Sequence, residues 1–130
     1  MVIDSSAIIA ILSYEPDAGE LAAAIQDDTI RLMSAASWLE SAIVIEARHG
    51  PAGGQKFDEL VQVAQIKIEP VTIEQATAAR LAFRTYGKGQ HPASLNFGDC
   101  FAYALAKVSG EPLLCKGNDF SQTDIPLVAS

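Results

Sequence analysis

Four acids stand where an α/β chain concentrates its chemistry: Asp4 in "MVIDSSAIIAIL", Glu40 in "SAASWLESAIVI", Asp99 in "LNFGDCFAYALA" and Asp119 in "LLCKGNDF". Asp4 ends a short apolar strand and precedes the apolar run Ala7 to Leu12, so its carboxylate falls between two stretches that both read as buried. Asp99 sits in the first turn of a helix, off the apolar line Phe97, Phe101, Ala104, Leu105 and Val108. Asp119 follows a buried strand, and Glu40 shares a helix face with Ala36, Ile43, Val44 and Ala47. Each has an ordinary role open to it: an N-cap for Asp4, a helix-dipole complement for Asp99, a turn residue for Asp119, and for Glu40 a stem lying along an apolar edge. Together they ask for more. A buried carboxylate costs on the order of several kcal/mol unless it is paired or bound to a cation. The nine Lys and Arg lie mostly elsewhere in the sequence and offer no evident partner for all four. Oxygen ligands without a His or Cys cluster favour Mg²⁺ or Mn²⁺ over Zn²⁺. Such an ion activates water and stabilises charge on a phosphate during in-line displacement.

The elements that must position these acids follow from the hydrophobic pattern. Strand 2–4 runs directly into a helix that starts at Ser5 or Ser6. A second helix covers 15–26 with Pro16 at its start. Strand 30–34 leads into a helix ended by Gly50, and 53–65 forms another helix. Strand 66–71 comes next, then a helix over 72–86, where Thr72 and Gln75 have capping-box spacing. "GKGQHPAS" is loop, "LNFGDCFAYALAKVSG" is a helix closed by Gly110, "PLLC" is a buried strand, and "IPLV" gives a last strand. Short apolar strands alternating with helices predict an α/β fold with a mostly parallel central sheet. In such sheets functional groups gather beyond the carboxyl ends of the strands, at the topological switch point.

A chain of 130 residues fits one domain, 1–130, with a single core. No apolar run approaches the roughly 20 residues of a membrane span, and no basic segment precedes "VIDSSAIIAIL", so a cytoplasmic protein is expected. Cys100 and Cys115 sit in apolar segments without metal-ligand spacing and read as reduced thiols, a disulfide being the alternative. A net charge of −7 excludes a protein that simply coats nucleic acid. The charge is also uneven: up to Ala47 eight acids face the single base Arg31, whereas from Gln75 to Asn118 five bases face Asp99 and Glu111. Arg80, Arg84 and Lys88, spaced by four, are either a solvated helix face or a strip that contacts phosphate.

The four blocks that carry the acids resemble, in order and spacing, the signature blocks of PIN-domain proteins, and more narrowly those of VapC toxins of bacterial type II toxin–antitoxin pairs. The resemblance runs nearly end to end. It implies a PIN-like three-layer fold, with a central mostly parallel sheet flanked by helices, and a Mg²⁺-dependent endoribonuclease in which Mn²⁺ can substitute. It also implies a homodimer, an RNA substrate such as tRNA or rRNA, and neutralisation by a short VapB-like antitoxin. The metal ligands would be Asp4, Glu40 and Asp99, with the fourth acid in "GNDF". There the loop offers Asn118 followed by Asp119, and Asn118 at the ligand position would leave a second metal in doubt. Ser6 matches a position where a hydroxyl often supports the metal site.

Lys116 reads as a phosphate contact, a counter-charge to the acids, or a structural salt bridge. His91 reads as an exposed loop residue, and Trp38 and Tyr103 as core or dimer-contact residues. Two rival classes are disfavoured: a phosphoacceptor receiver domain needs adjacent acids at its first strand, where "DSS" stands, and an aspartyl phosphatase needs an acid at Ser6. A PIN-like binding module without catalysis is the remaining alternative.

Overall fold

The computed structural model describes residues 1–128. Its strands are short: β1 (Val2–Ile3), β2 (Leu32–Ser34), β3 (Lys67–Glu69) and β4 (Leu113–Leu114). They form one sheet in the order β3-β2-β1-β4, with every pairing parallel. Five helices connect them: α1 (Ser5–Leu12), α2 (Ala18–Asp27), α3 (Ala35–Val63), α4 (Ile73–Tyr86) and α5 (Phe97–Ser109). Strand residues alternate between the two faces of the sheet. Val2 and Leu113 join the core formed with α4 and α5. Ile3 and Leu114 join the other core, with α1, α2 and α3. The result is the expected three-layer α/β/α arrangement.

Caps fix where the helices begin. Asp4 accepts from the Ser6 N–H at 3.0 Å and so starts α1 one residue after β1 ends. Ser34 does the same for α3, and Thr72 accepts from the Gln75 N–H to start α4. Asn96 and Asp99 exchange bonds of 2.9 and 3.0 Å in a capping box that starts α5, and Gly110 ends that helix in the left-handed region. Gly50, at φ 70°, breaks α3 where the sequence predicted an end, and the chain resumes helix at Pro51.

Three expectations are corrected. α2 starts at Ala18, after a turn that contains Pro16. "IPLV" forms only a single parallel bridge, Leu113 to Leu127, because Pro126 has no N–H to extend a ladder. The apolar line assigned to α5 is its core face only in part: Ala104 and Leu105 are buried, but Phe97 is 79% exposed and Val108 38%. Ala102 to Ala106 are buried consecutively between the sheet and α4, so no single stripe marks the inner side. Both cysteines are free thiols.

Arg31, the isolated base among the acids of the N-terminal third, clamps two helix ends. Its guanidinium donates to the carbonyls of Ile25, Gln26 and Asp28 at the end of α2, and to Ala64 at the end of α3, at 2.7 to 2.9 Å. These are carbonyls that helices leave without partners, at the negative end of each dipole. Arg31→Met should therefore cost about 2–4 kcal/mol in a denaturant melt. Arg31→Lys should recover little of this, because one ammonium cannot span both helix ends.

Candidate active site

The strand order sets the location. The chain runs outward from β1 to β2 to β3 and then returns to the far side of β1 as β4. The switch point therefore lies at the carboxyl ends of β1 and β4, and both strands release functional groups there. β1 ends in Asp4, while β4 is followed by Cys115, Lys116 and the loop carrying Asn118 and Asp119.

Asp4 is 3% exposed. Its Oδ2 accepts the Ser6 N–H, so the N-cap expectation is met by one oxygen. Its Oδ1 is buried with no partner. Burial, reinforced by the charge of Glu40 and opposed by bonds from Ser6, pushes the Asp4 carboxyl up to about 6. Asp99 behaves similarly. Its Oδ2 is occupied in the capping box, and its carboxyl is also pushed up to about 6, by burial and by the charges of Asp4, Asp119 and Glu40. Glu40 is half-buried on α3, and its Oε1 accepts from the Ser5 hydroxyl at 2.7 Å. The inward face of α3 is Ser37, Ser41 and Ile45, so the apolar stripe that Glu40 shares points away from the core and the glutamate stands at its border.

Asp119 is exposed, yet its charge reaches Asp99 and the Cys115 thiol, which burial and the three aspartates push up to about 12. Asn118 is exposed too, and its backbone carbonyl accepts from Ser121. The structure thus brings Asp4, Glu40, Asp99 and Asp119 into one electrostatic neighbourhood. Among the described residues, however, no group of three or more His, Cys, Asp or Glu side chains is arranged so that it could hold a metal ion as it stands. The donor chemistry fits a hard divalent cation: all oxygen, one atom buried without a partner, and mutual repulsion in place of salt bridges.

A PIN domain model matches residues 1–126. The chain belongs to the PIN-domain family. Within that family its similarity lies with VapC ribonucleases. It is 58% identical over 129 residues to the VapC ribonuclease Mb0640 of Mycobacterium bovis and, to the same extent, to ribonuclease VapC30 of Mycobacterium tuberculosis, covering 99% of this chain and 98% of each relative. It is 57% identical to ribonuclease VapC of Mycolicibacterium smegmatis, covering 98% and 99%. Among solved structures, the sarcin–ricin loop cleaving toxin VapC20 of Mycobacterium tuberculosis superposes with a TM-score of 0.80 at 14% identity, covering 99% and 98%. A toxin–antitoxin complex from Klebsiella pneumoniae gives 0.72 at 16%, covering 98% and 95%. The three-layer PIN fold expected from the sequence is the fold observed.

The remaining candidates of this PIN domain divide. Lys116 bonds Glu15 and stands 3.5 Å from Asp17, so the salt-bridge alternative is the one the structure takes. Its backbone N–H donates to the Ser6 hydroxyl at 2.9 Å, so Ser6 tethers the loop after β4 to α1. Arg80 and Arg84 are exposed on α4, but that helix ends at Tyr86, and Lys88 lies beyond it in a turn closed by its N–H to the Leu95 carbonyl. The three bases therefore do not share a helical face. Among the described residues none of them makes a salt bridge. His91 packs edge-on against Tyr86, and its Nδ1 accepts the Ala93 N–H. Tyr103 is buried with its hydroxyl on Asp124, and Trp38 lies against Phe57. Ser5, a partner of Glu40 from 35 residues away, carries no signal in the sequence beyond that of a helix start.

Because Asp4 titrates higher in the folded chain than in the unfolded one, the fold binds the extra proton. Its metal-free stability should fall as pH rises from about 4 through about 6. Asp4→Asn removes this loss. In EDTA at pH 7 it should melt higher than the parent by an amount worth on the order of 2–3 kcal/mol, with little difference at pH 4. A variant that melts at or below the parent at pH 7 would show that the Asp4 charge is compensated.

Proposed function

We propose that this chain is a metal-dependent endoribonuclease of the VapC type, the toxin of a type II toxin–antitoxin pair, acting as a single PIN domain in the cytoplasm. The observation that carries the site reading is the buried, unpartnered Oδ1 of Asp4, lying within electrostatic reach of Glu40 and Asp99. Relatives named as VapC ribonucleases, aligned over nearly the whole chain at 58% identity, carry the reaction class.

Asp4, Glu40 and Asp99 would hold Mg²⁺, or Mn²⁺ in its place, with Asp119 preferred over Asn118 as the fourth ligand because its charge already acts on Asp99. The bound ion would supply an activated water and neutralise charge on the phosphate. The protein's own part is to present two carboxylates from fixed caps. Asp4 is locked by the Ser6 N–H and Asp99 by the Asn96 N–H, leaving one oxygen of each outside its cap bond. Ser6 supports the site by fixing the loop that bears Asp119. Hydrolysis of this kind does not use the 2′-hydroxyl as nucleophile, so preference for RNA rests on fit and contacts along the strand. Arg80, Arg84 and Lys88 are the phosphate-contact candidates, and Lys116 is left out because its ammonium is engaged. Leu39, Ile43 and Phe97, all more than half exposed near Glu40, give apolar surface to the partners expected of a VapC protein, a second copy and a short antitoxin.

The second reading is a PIN domain that binds without cutting, favoured by the lack of a ready-made coordination shell among the described residues. One experiment separates the two. Purified protein, freed of bound peptide, is incubated with total cellular RNA in Mg²⁺, Mn²⁺ or EDTA. Discrete fragments should form with either ion and vanish in EDTA. Asp4→Asn and Asp99→Asn should each lower the rate at least about 100-fold while circular dichroism stays unchanged. Either variant cutting at the parent rate would overturn the site assignment, and metal-independent cutting would overturn the role of the ion.

A further inference from the structure

We propose that Ser5 and Gly98 form a clamp that sets the position of the Glu40 carboxylate against the first turn of α5, which makes them positioning residues for the acidic site. This inference rests on the metal-site reading above and adds residues to it.

One part of the clamp is a bond and the other is a space. The Ser5 hydroxyl, 7% exposed at the start of α1, donates to Glu40 Oε1 at 2.7 Å. A Cβ built on Gly98 would stand 2.5 Å from Glu40 Oε2, 2.9 Å from Oε1 and 3.0 Å from the carboxyl carbon. The positive-φ glycines are Gly50, Gly89, Gly110 and Gly117, so Gly98 has no left-handed backbone to serve. It is the second residue of α5, a position where alanine is the better helix former. The missing Cβ makes room for the carboxylate of Glu40.

The clamp also sets register among the acids. Ser5 adjoins Asp4 in the chain, and Gly98 adjoins Asp99. Each group that positions Glu40 is therefore fixed to the backbone of another acid of the site. A methyl at position 98 meets the far end of a flexible side chain, so the carboxylate moves while the backbone stays. That movement disturbs the Ser5 bond and changes where Glu40 stands relative to Asp4 and Asp99.

Mn²⁺ binding to the full chain, followed by calorimetry, tests this together with melting temperatures in EDTA. Gly98→Ala should weaken Mn²⁺ binding at least about tenfold, with a melting temperature equal to or above that of the parent. Ser5→Ala should weaken binding in the same direction, and it carries the test alone if Gly98→Ala does not fold. In a Glu40→Gln background, adding Gly98→Ala should cause no further loss, because the acid it displaces is already gone. Parent-like Mn²⁺ affinity in both folded single variants would overturn the clamp alone. So would an equal further loss from Gly98→Ala in the Glu40→Gln background. A parent chain that takes up no Mn²⁺ would overturn the metal-site reading and the clamp with it.

Discussion

A carboxylate at the end of a fully buried strand can be tolerated only if something offsets its loss of water, and in this chain that requirement falls on Asp4. One oxygen is satisfied by the first turn of α1, and the other has no partner among the described residues. The cost is not relieved by a nearby base. Lys116, close in sequence to the site, is committed to Glu15 and Asp17, and the other charges that act on Asp4 and Asp99 are acidic. The acids of such a site repel one another, and a bound cation would relieve that repulsion.

The fold is organised so that this repulsion arises at one point. β1 is central in the sheet, and β4 returns to its far side, opening the crevice at their carboxyl ends. The acids arrive on separate elements: the cap of α1, the early part of α3, the capping box of α5 and the loop after β4. In two of them, Asp4 and Asp99, one carboxylate takes part in a helix cap and leaves its other oxygen outside the cap bond. Local helix capping and long-range convergence are thus served by the same atoms, which ties the geometry of the site to the stability of α1 and α5.

Much of this was legible in the sequence because it depends on local rules. Strand-then-acid at Asp4 and Asp99 in the first turn of a helix read correctly from spacing, while of the capping box expected at Thr72 and Gln75 only the Thr72 half forms. What escaped depends on partners distant in the chain. The Ser5 bond to Glu40 spans 35 residues, and Arg31 reaches carbonyls on two helices, one of them 33 residues away. The rotation of α5 was misjudged because Ala102 to Ala106 are buried all round, which removes the periodicity that would mark an inner face. The basic strip failed for a simpler reason: spacing by four implies a shared face only while the helix lasts, and α4 ends before Lys88.

Whether the buried acids hold the ion is read from the number of protons released when Mn²⁺ binds, measured by calorimetry at pH 6 and pH 8 in buffers of different ionisation enthalpy. Asp4 and Asp99, both pushed up to about 6, hold part of their protons at pH 6, so binding there should release protons. At pH 8 it should release almost none, with correspondingly tighter binding. Mn²⁺ binding that released no protons at pH 6, with an affinity indifferent to pH across this range, would contradict the account, since the ion would then be held by groups other than these two buried acids.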